Sequence, residues 1–142
     1  MNGIGTGTGL IPVTAATPDG TEGFSTVLQF DYPRPPITAN GRYNHWSKAR
    51  LNKDVRLATK LLAKRIPFLG RIRVSLVWVV KDHRRRDGGE NITPTLKPMI
   101  DGLVDAGIVL DDTPDLVERI MPVVEFRQGA TPHMELTVEA IR

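Results

Sequence analysis

The sequence predicts an α+β domain: a small mixed β-sheet with two main helices packed on it. Three observations carry this. Residues 71–81 (RIRVSLVWVVK) hold the clearest strand pattern in the chain. Two segments, one before it and one after it, repeat apolar residues at helical spacing. The patterns run strand, helix, strand, helix, strand, strand, an order that sheet-and-helix layers accommodate.

Each element has its own reason. Residues 1–23 are rich in Gly, Thr, Ala and Pro and poor in large side chains. They bury too little to offset ordering entropy, so a flexible tail is expected there, with the folded domain at 24–142. Residues 26–32 (TVLQFDY) alternate as a half-buried strand, ended by Pro33, Pro35 and Pro36. Residues 37–47 (ITANGRYNHWS) read as a polar loop with an Asn40-Gly41 turn. A helix is expected over 48–65, capped by Ser47, with Leu51, Val55, Ala58, Leu61 and Leu62 inward. In the 71–81 strand, Ile72, Val74, Leu76, Trp78 and Val80 share one face. The opposite face turns apolar at Val77 and Val79, so its second half should be covered on both sides. The second helix is expected to start at Thr93 or Thr95, with Pro94 or Pro98 in its first turn. Leu96, Met99, Ile100, Leu103 and Val104 form its buried stripe, and Gly107 stops it. Residues 116–126 read as a strand broken at Pro122, and 133–141 as the last strand.

Composition bounds the function. At 142 residues one domain is expected. Hydrophobic content of 40% and charged content of 25% are ordinary for a soluble globular protein. No run approaches the ~20 apolar residues a membrane span needs. The start lacks a basic region followed by an apolar one, so no secretory signal is expected. The chain has no cysteine, which excludes disulfides, thiolate metal sites and cysteine nucleophiles. His45, His83 and His133 are dispersed, against the clustered spacing of a zinc site.

The net charge of +3 hides an asymmetry: cations crowd the first half and carboxylates the part after Asp87. In the loop, Arg42, His45 and Lys48 sit among Tyr43 and Trp46, with Arg50 just beyond. Cations meet phosphate and rings stack on unpaired bases, so this pattern suits nucleic acid. Equally, Tyr43 and Trp46 could anchor the loop on the core. Trp78, among aliphatics, reads as core.

The stretch 83–117 concentrates the chemistry. Arg84-Arg85-Arg86 leads into Asp87 and Glu90; a helix follows with Lys97 near its start; Asp111-Asp112 comes after its end. If the strands feeding that helix lie side by side, the carboxylates at its two ends can meet. Clustered carboxylates repel unless a cation sits among them. A lysine near a helix N-terminus opposes the dipole and asks for a carboxylate or phosphate partner. Asp101 is placed near the site, and Asp105 in solvent. Basic residues beside acids suit a divalent metal and a phosphate, hence a metal-dependent nuclease.

The ordered set Asp87, Glu90-Asn91, Lys97, Asp101-Gly102-Leu103, Gly107, Asp111-Asp112, Leu116-Val117 resembles the signature of the RusA family of Holliday junction resolvases, often encoded by phages and prophages. That signature runs D-x-D-N, a lysine, a helix with D-x-L and a glycine, then D-D before an apolar strand. Here two glycines separate the first acids, the second is Glu, and Lys97 lies a few residues further on. The resemblance covers about 24–142. It implies a RusA-like, dimeric fold and a magnesium-dependent endonuclease that resolves four-way junctions by paired nicks, in the cytoplasm of a bacterium or phage-infected host. It implies that Asp87, Glu90 and Asp112 hold Mg2+ (or Mn2+), with Asp111 as a further ligand or support, and that Lys97 contacts the scissile phosphate. Arg42, His45, Lys48, Arg50, Arg84, Arg85 and Arg86 would hold phosphate backbone. The altered acidic pair also admits a junction-binding protein without catalysis.

Overall fold

Strand β3 (Ile72–Val80) is the centre of a six-stranded mixed sheet. The structure is a computed structural model and describes residues 9–14 and 23–142. Around β3 lie β1 (Gly9–Thr14), β2 (Ser25–Phe30), α1 (His45–Leu62), α2 (Gly89–Asp105), β4 (Val117–Arg119), β5 (Val123–Phe126) and β6 (His133–Ala140). The sheet order is β1-β2-β6-β3-β4, with β5 also pairing β3. The mixed α+β architecture expected from the sequence is present, with two helices.

Register explains the core. β2, β6 and β3 pair antiparallel so that Leu28, Leu136 and Leu76 form one row and Phe30, Met134 and Trp78 another. Leu28, Leu136 and Leu76 are fully buried, and α2 covers them with Leu96, Met99, Ile100 and Leu103. The opposite sheet face carries ion pairs instead: Arg73 reaches Glu118 on β4 (2.8 Å) and Glu139 on β6 (3.7 Å). Opposite charges on facing strand positions are the polar counterpart of the apolar rows. Val79 and Val80 are both buried, as expected for the covered end of β3, whereas Val77 is half-buried.

Four sequence expectations need correction. Gly9–Thr14, inside the expected tail, is strand β1, antiparallel to β2 with Leu10 opposite Leu28 and a register shift between Pro12 and Thr14. An edge strand tolerates Pro12, which needs no ladder donor on its outer side. The rest of the tail, 1–8 and 15–22, lies outside the described residues. Helix α1 starts at His45, not Lys48, because Asn44 is the cap: its Oδ1 accepts from the Ser47 N–H at 2.8 Å. Leu61 is exposed, not inward. Helix α2 starts at Gly89, so Thr93 and Thr95 are not caps and both prolines lie inside the helix. Gly107 does stop it, and Pro122 does split β4 from β5, both of which run parallel to β3.

The two helices pack closely at Gly102. A Cβ there would lie 2.5 Å from the Arg56 carbonyl oxygen, so only glycine lets α1 and α2 approach this far. Among the described residues no helix is long and apolar enough to cross a membrane.

Candidate functional site

Helix α2 carries a polar stripe on the side away from its core. Glu90, Thr93 and Lys97 are exposed and Asp101 is half-exposed, while Ile92, Leu96, Met99 and Leu103 are buried. Glu90 and Lys97 are seven residues apart, about two helical turns, so they share a face some ~10 Å apart along the axis.

The Lys97 end is closed by ion pairs. Its Nζ donates to Asp112 Oδ2 at 2.6 Å and to Asp101 Oδ1 at 2.9 Å. Because α2 starts at Gly89, Lys97 lies mid-helix and not at the N-terminus expected of it, and its charge is paired with Asp112 and Asp101. The bond to Lys97 holds the Asp112 carboxyl below its usual range, and the bonds to Asp112 and then Asp101 raise Lys97 above its own. Asp111 serves a local turn, its Oδ1 accepting from the Asp112 N–H at 2.7 Å. Arg119 Nη2 donates to the Asp112 carbonyl at 2.7 Å, tying this turn to β4. Asp105 is not simply solvated: Arg56 grips it at 2.6 and 2.9 Å through Nε and Nη2.

The Asp87 end is held by neutral groups. Asn40 Nδ2 donates to Asp87 Oδ2 at 2.7 Å. Asn40 is itself fixed, since its backbone N–H donates to Asn91 Oδ1 at 2.9 Å. The Ala39 N–H donates to the Asn91 carbonyl at 3.1 Å. Two residues before Lys97, buried Thr95 clips Ile37: its Oγ1 accepts from the Ile37 N–H at 3.1 Å and donates to the Ile37 carbonyl at 2.6 Å. The segment 37–40 therefore lies along the first half of α2. Pro94 withdraws the N–H that would serve the Glu90 carbonyl four residues back, in the first turn of the helix. At the helix start, a Cβ on Gly89 would lie 1.8 Å from the Pro122 carbonyl oxygen, so the β4–β5 connection is pressed against this turn.

The expected meeting of carboxylates from both ends of α2 does not occur as a single cluster. Among the described residues no group of three or more His, Cys, Asp or Glu side chains is gathered to hold a metal. The topology gives the reason. β3 and β4 do lie side by side, but they run parallel, so the crossover helix runs back between them and its two ends point to opposite ends of the sheet. Asp87 and Glu90 stand at one end of the stripe, and Asp112 joins it at Lys97. The donor chemistry fits a hard divalent cation, being all carboxylate oxygen. The placement fits it only in part, because Asp112 is already paired with Lys97.

The basic residues divide. Arg42, His45, Lys48 and Arg50 are exposed, as are Arg84 and Arg85. Arg86 is not: it is folded back at 16% exposure, donating to the Asp82 carboxylate (2.7 Å) and to the Asp82 and Arg84 carbonyls, and lying 5.4 Å over the Trp78 ring. Arg86 thus braces the end of β3, unlike the exposed Arg84 and Arg85 expected beside it to hold phosphate. The Arg86 bond and the Arg84 N–H hold Asp82 below its usual range. The loop aromatics also divide. Tyr43 anchors, accepting from the Thr38 N–H and donating to the Pro36 carbonyl. Trp46 stands 76% exposed, with His45 edge-on against it. Trp78 is half-buried and donates to the Pro33 carbonyl at 3.0 Å.

Sequence reasoning missed Asn40, Asn91 and Thr95 as the ties between loop and helix; only Asn91 stood in a motif. It also missed a cleft at the start of α2 that borders Asp87. No protein-family model matches the chain, and no curated protein sequence matches it.

Proposed function

We propose that the chain is a magnesium-dependent, structure-specific endodeoxyribonuclease of the RusA type, resolving four-way junctions by paired nicks. The observation that carries this reading is the contact of Lys97 with Asp112 at 2.6 Å on an exposed face of α2. The cation assigned to phosphate and the carboxylate assigned to metal lie together, within reach of a DNA backbone.

The chain's own residues then have distinct tasks. Lys97, charged throughout the neutral range, exchanges a carboxylate partner for a phosphate oxygen and stabilises the charge that builds there. That exchange would free Asp112, which stands with Asp111 further along the stripe from Asp87 and Glu90, the two acids that would hold the metal. Magnesium (or manganese) would supply an activated water and offset negative charge on phosphorus. Asn40 keeps the Asp87 carboxylate oriented. Arg42, His45, Lys48, Arg50, Arg84 and Arg85 hold phosphates, with affinity that falls as salt rises. Resolution needs two cuts, so the reading requires a homodimer; sedimentation at micromolar protein should show two chains.

The test is cleavage of a synthetic four-way junction beside a linear duplex of the same sequence, with Asp112→Asn as control. Paired nicks in the junction alone, lost in the variant, are the expected result. Equal cleavage of the duplex would overturn junction selectivity. One observation favours a second reading: Lys97 already supplies Asp112 with a cation. Tight junction binding with no cleavage in magnesium or manganese would make the chain a junction-binding protein without catalysis.

A further inference from the structure

We propose that the cleft at the start of α2 is a pocket for one unpaired base of bound DNA. Its place beside the scissile phosphate rests on the nuclease reading; the pocket itself does not. The cleft, open to solvent on one side, offers about 460 Å³ between the end of β3, the first turn of α2 and β5. Pockets that hold small ligands run to about 300–1,000 Å³.

Three features select a base. The first is a stack of rings. His83 lies on Phe126 with centroids 3.8 Å apart and planes at 30°, and both line the cleft. His83 is exposed, so a third ring can extend the stack. Stacking on protein rings is the main attraction for unpaired bases and tolerates any sequence. The second is a rim with both polarities. Arg84 and the Gly88–Gly89 backbone offer donors, and Asp82 and Asp87 offer acceptors. A base edge presents donors and acceptors together. A bare phosphate presents only acceptors and would find Arg86 already engaged by Asp82 and, among the described residues, the Asp87 carboxylate without a cation of its own. The third is position. Asp87 borders the cleft, so a nucleotide seated there adjoins the phosphate handled by the acids. Junction branch points and strand ends are where bases leave the stack, so a pocket here would choose which phosphate is cut.

Gly88 offers a clean way to close the pocket. Its backbone is extended (φ −76°), and an added Cβ would meet nothing within 4 Å. The experiment is a titration of the full chain, isotope-labelled for amide NMR, with a short oligothymidylate, which is unpaired and forms no junction. It is repeated for His83→Ala and Gly88→Leu. The expected result is saturable shifts at the Gly88, Gly89 and His83 amides. Binding read at those amides should weaken at least about fivefold in His83→Ala and vanish in Gly88→Leu. Shifts confined to 42–50, or undiminished in His83→Ala, would overturn the proposal. A chain that passes this titration yet cuts no junction keeps the pocket and loses the nuclease reading. A chain that cuts junctions while these amides stay silent does the reverse.

Discussion

The two ends of the stripe on α2 treat their carboxylates in opposite ways. Near Lys97, Asp101 and Asp112 share one ammonium at 2.9 and 2.6 Å. Near Asp87, the tie is a neutral amide from Asn40, and among the described residues neither Asp87 nor Glu90 forms an ion pair. One end has its charge partly offset from within, two carboxylates to one ammonium. The other carries its negative charge with no cation among the described residues paired to it. An ion pair at an exposed site is worth little to stability; under the proposed nuclease reading, Lys97 is a cation kept beside the acids for phosphate. A neutral amide bond orients the Asp87 carboxylate without pairing its charge.

Lys97→Ala breaks the comparison most sharply. It should lower junction cleavage about 100- to 1,000-fold with smaller loss of binding, measured by single-turnover kinetics and by band shift without metal. Retained cleavage would remove Lys97 from the chemistry. Asn40→Ala acts on the other end: it leaves every charge in place but frees Asp87. A loss of about 10- to 100-fold in activity or metal affinity is expected, and a higher magnesium concentration should restore part of it. Thr95→Val severs the clip to Ile37 and leaves a buried N–H without its partner. It should cost about 1–3 kcal/mol in urea unfolding and leave the Lys97 contacts intact. The smallest effect is a titration. The Asp112 carboxyl, followed by carbon NMR, should titrate below its ordinary range and return upward in Lys97→Ala. The sign for stability follows. Asp112, lowered in the fold, stabilises above its unfolded pKa and loses that contribution as pH falls through its folded value. Lys97, raised in the fold, stabilises below its unfolded pKa and loses that contribution as pH rises through its folded value. The pair is therefore intact at neutral pH and lost at the acid and alkaline extremes.

Much of the fold was legible because it rests on periodicity. The alternation in β3 and β6, the inward residues of α2, the stop at Gly107 and the break at Pro122 all follow from side-chain pattern and backbone chemistry. What was not legible rests on partners far along the chain. The start of α2 at Gly89 has no side-chain cap of its own, and Asn40 and Ala39 support it from about fifty residues away. Pro94 and Pro98, read locally, push the expected start to Thr93 or Thr95. β1 was hidden by composition, since Gly9–Thr14 becomes a strand by borrowing the open edge of β2. Arg86 looked like its neighbours Arg84 and Arg85, and only Asp82 and Trp78 distinguish it. The acids stand in plain view in the sequence, but their spacing could not show that a parallel crossover draws them out along a helix.

The lacing of 37–40 onto α2 has a consequence for how the molecule breathes. The amide protons of Ile37, Ala39 and Asn40 are donated to Thr95 and Asn91. Their exchange with solvent is thus gated by the separation of this segment from the helix and not by ordinary loop fluctuation. The chain between the two laces contains all of α1 and β3. When that seam opens, β3 stays paired in the sheet and α1 stays packed on α2, so the opening is local to 37–40 and the first half of α2, and these three amides should exchange together.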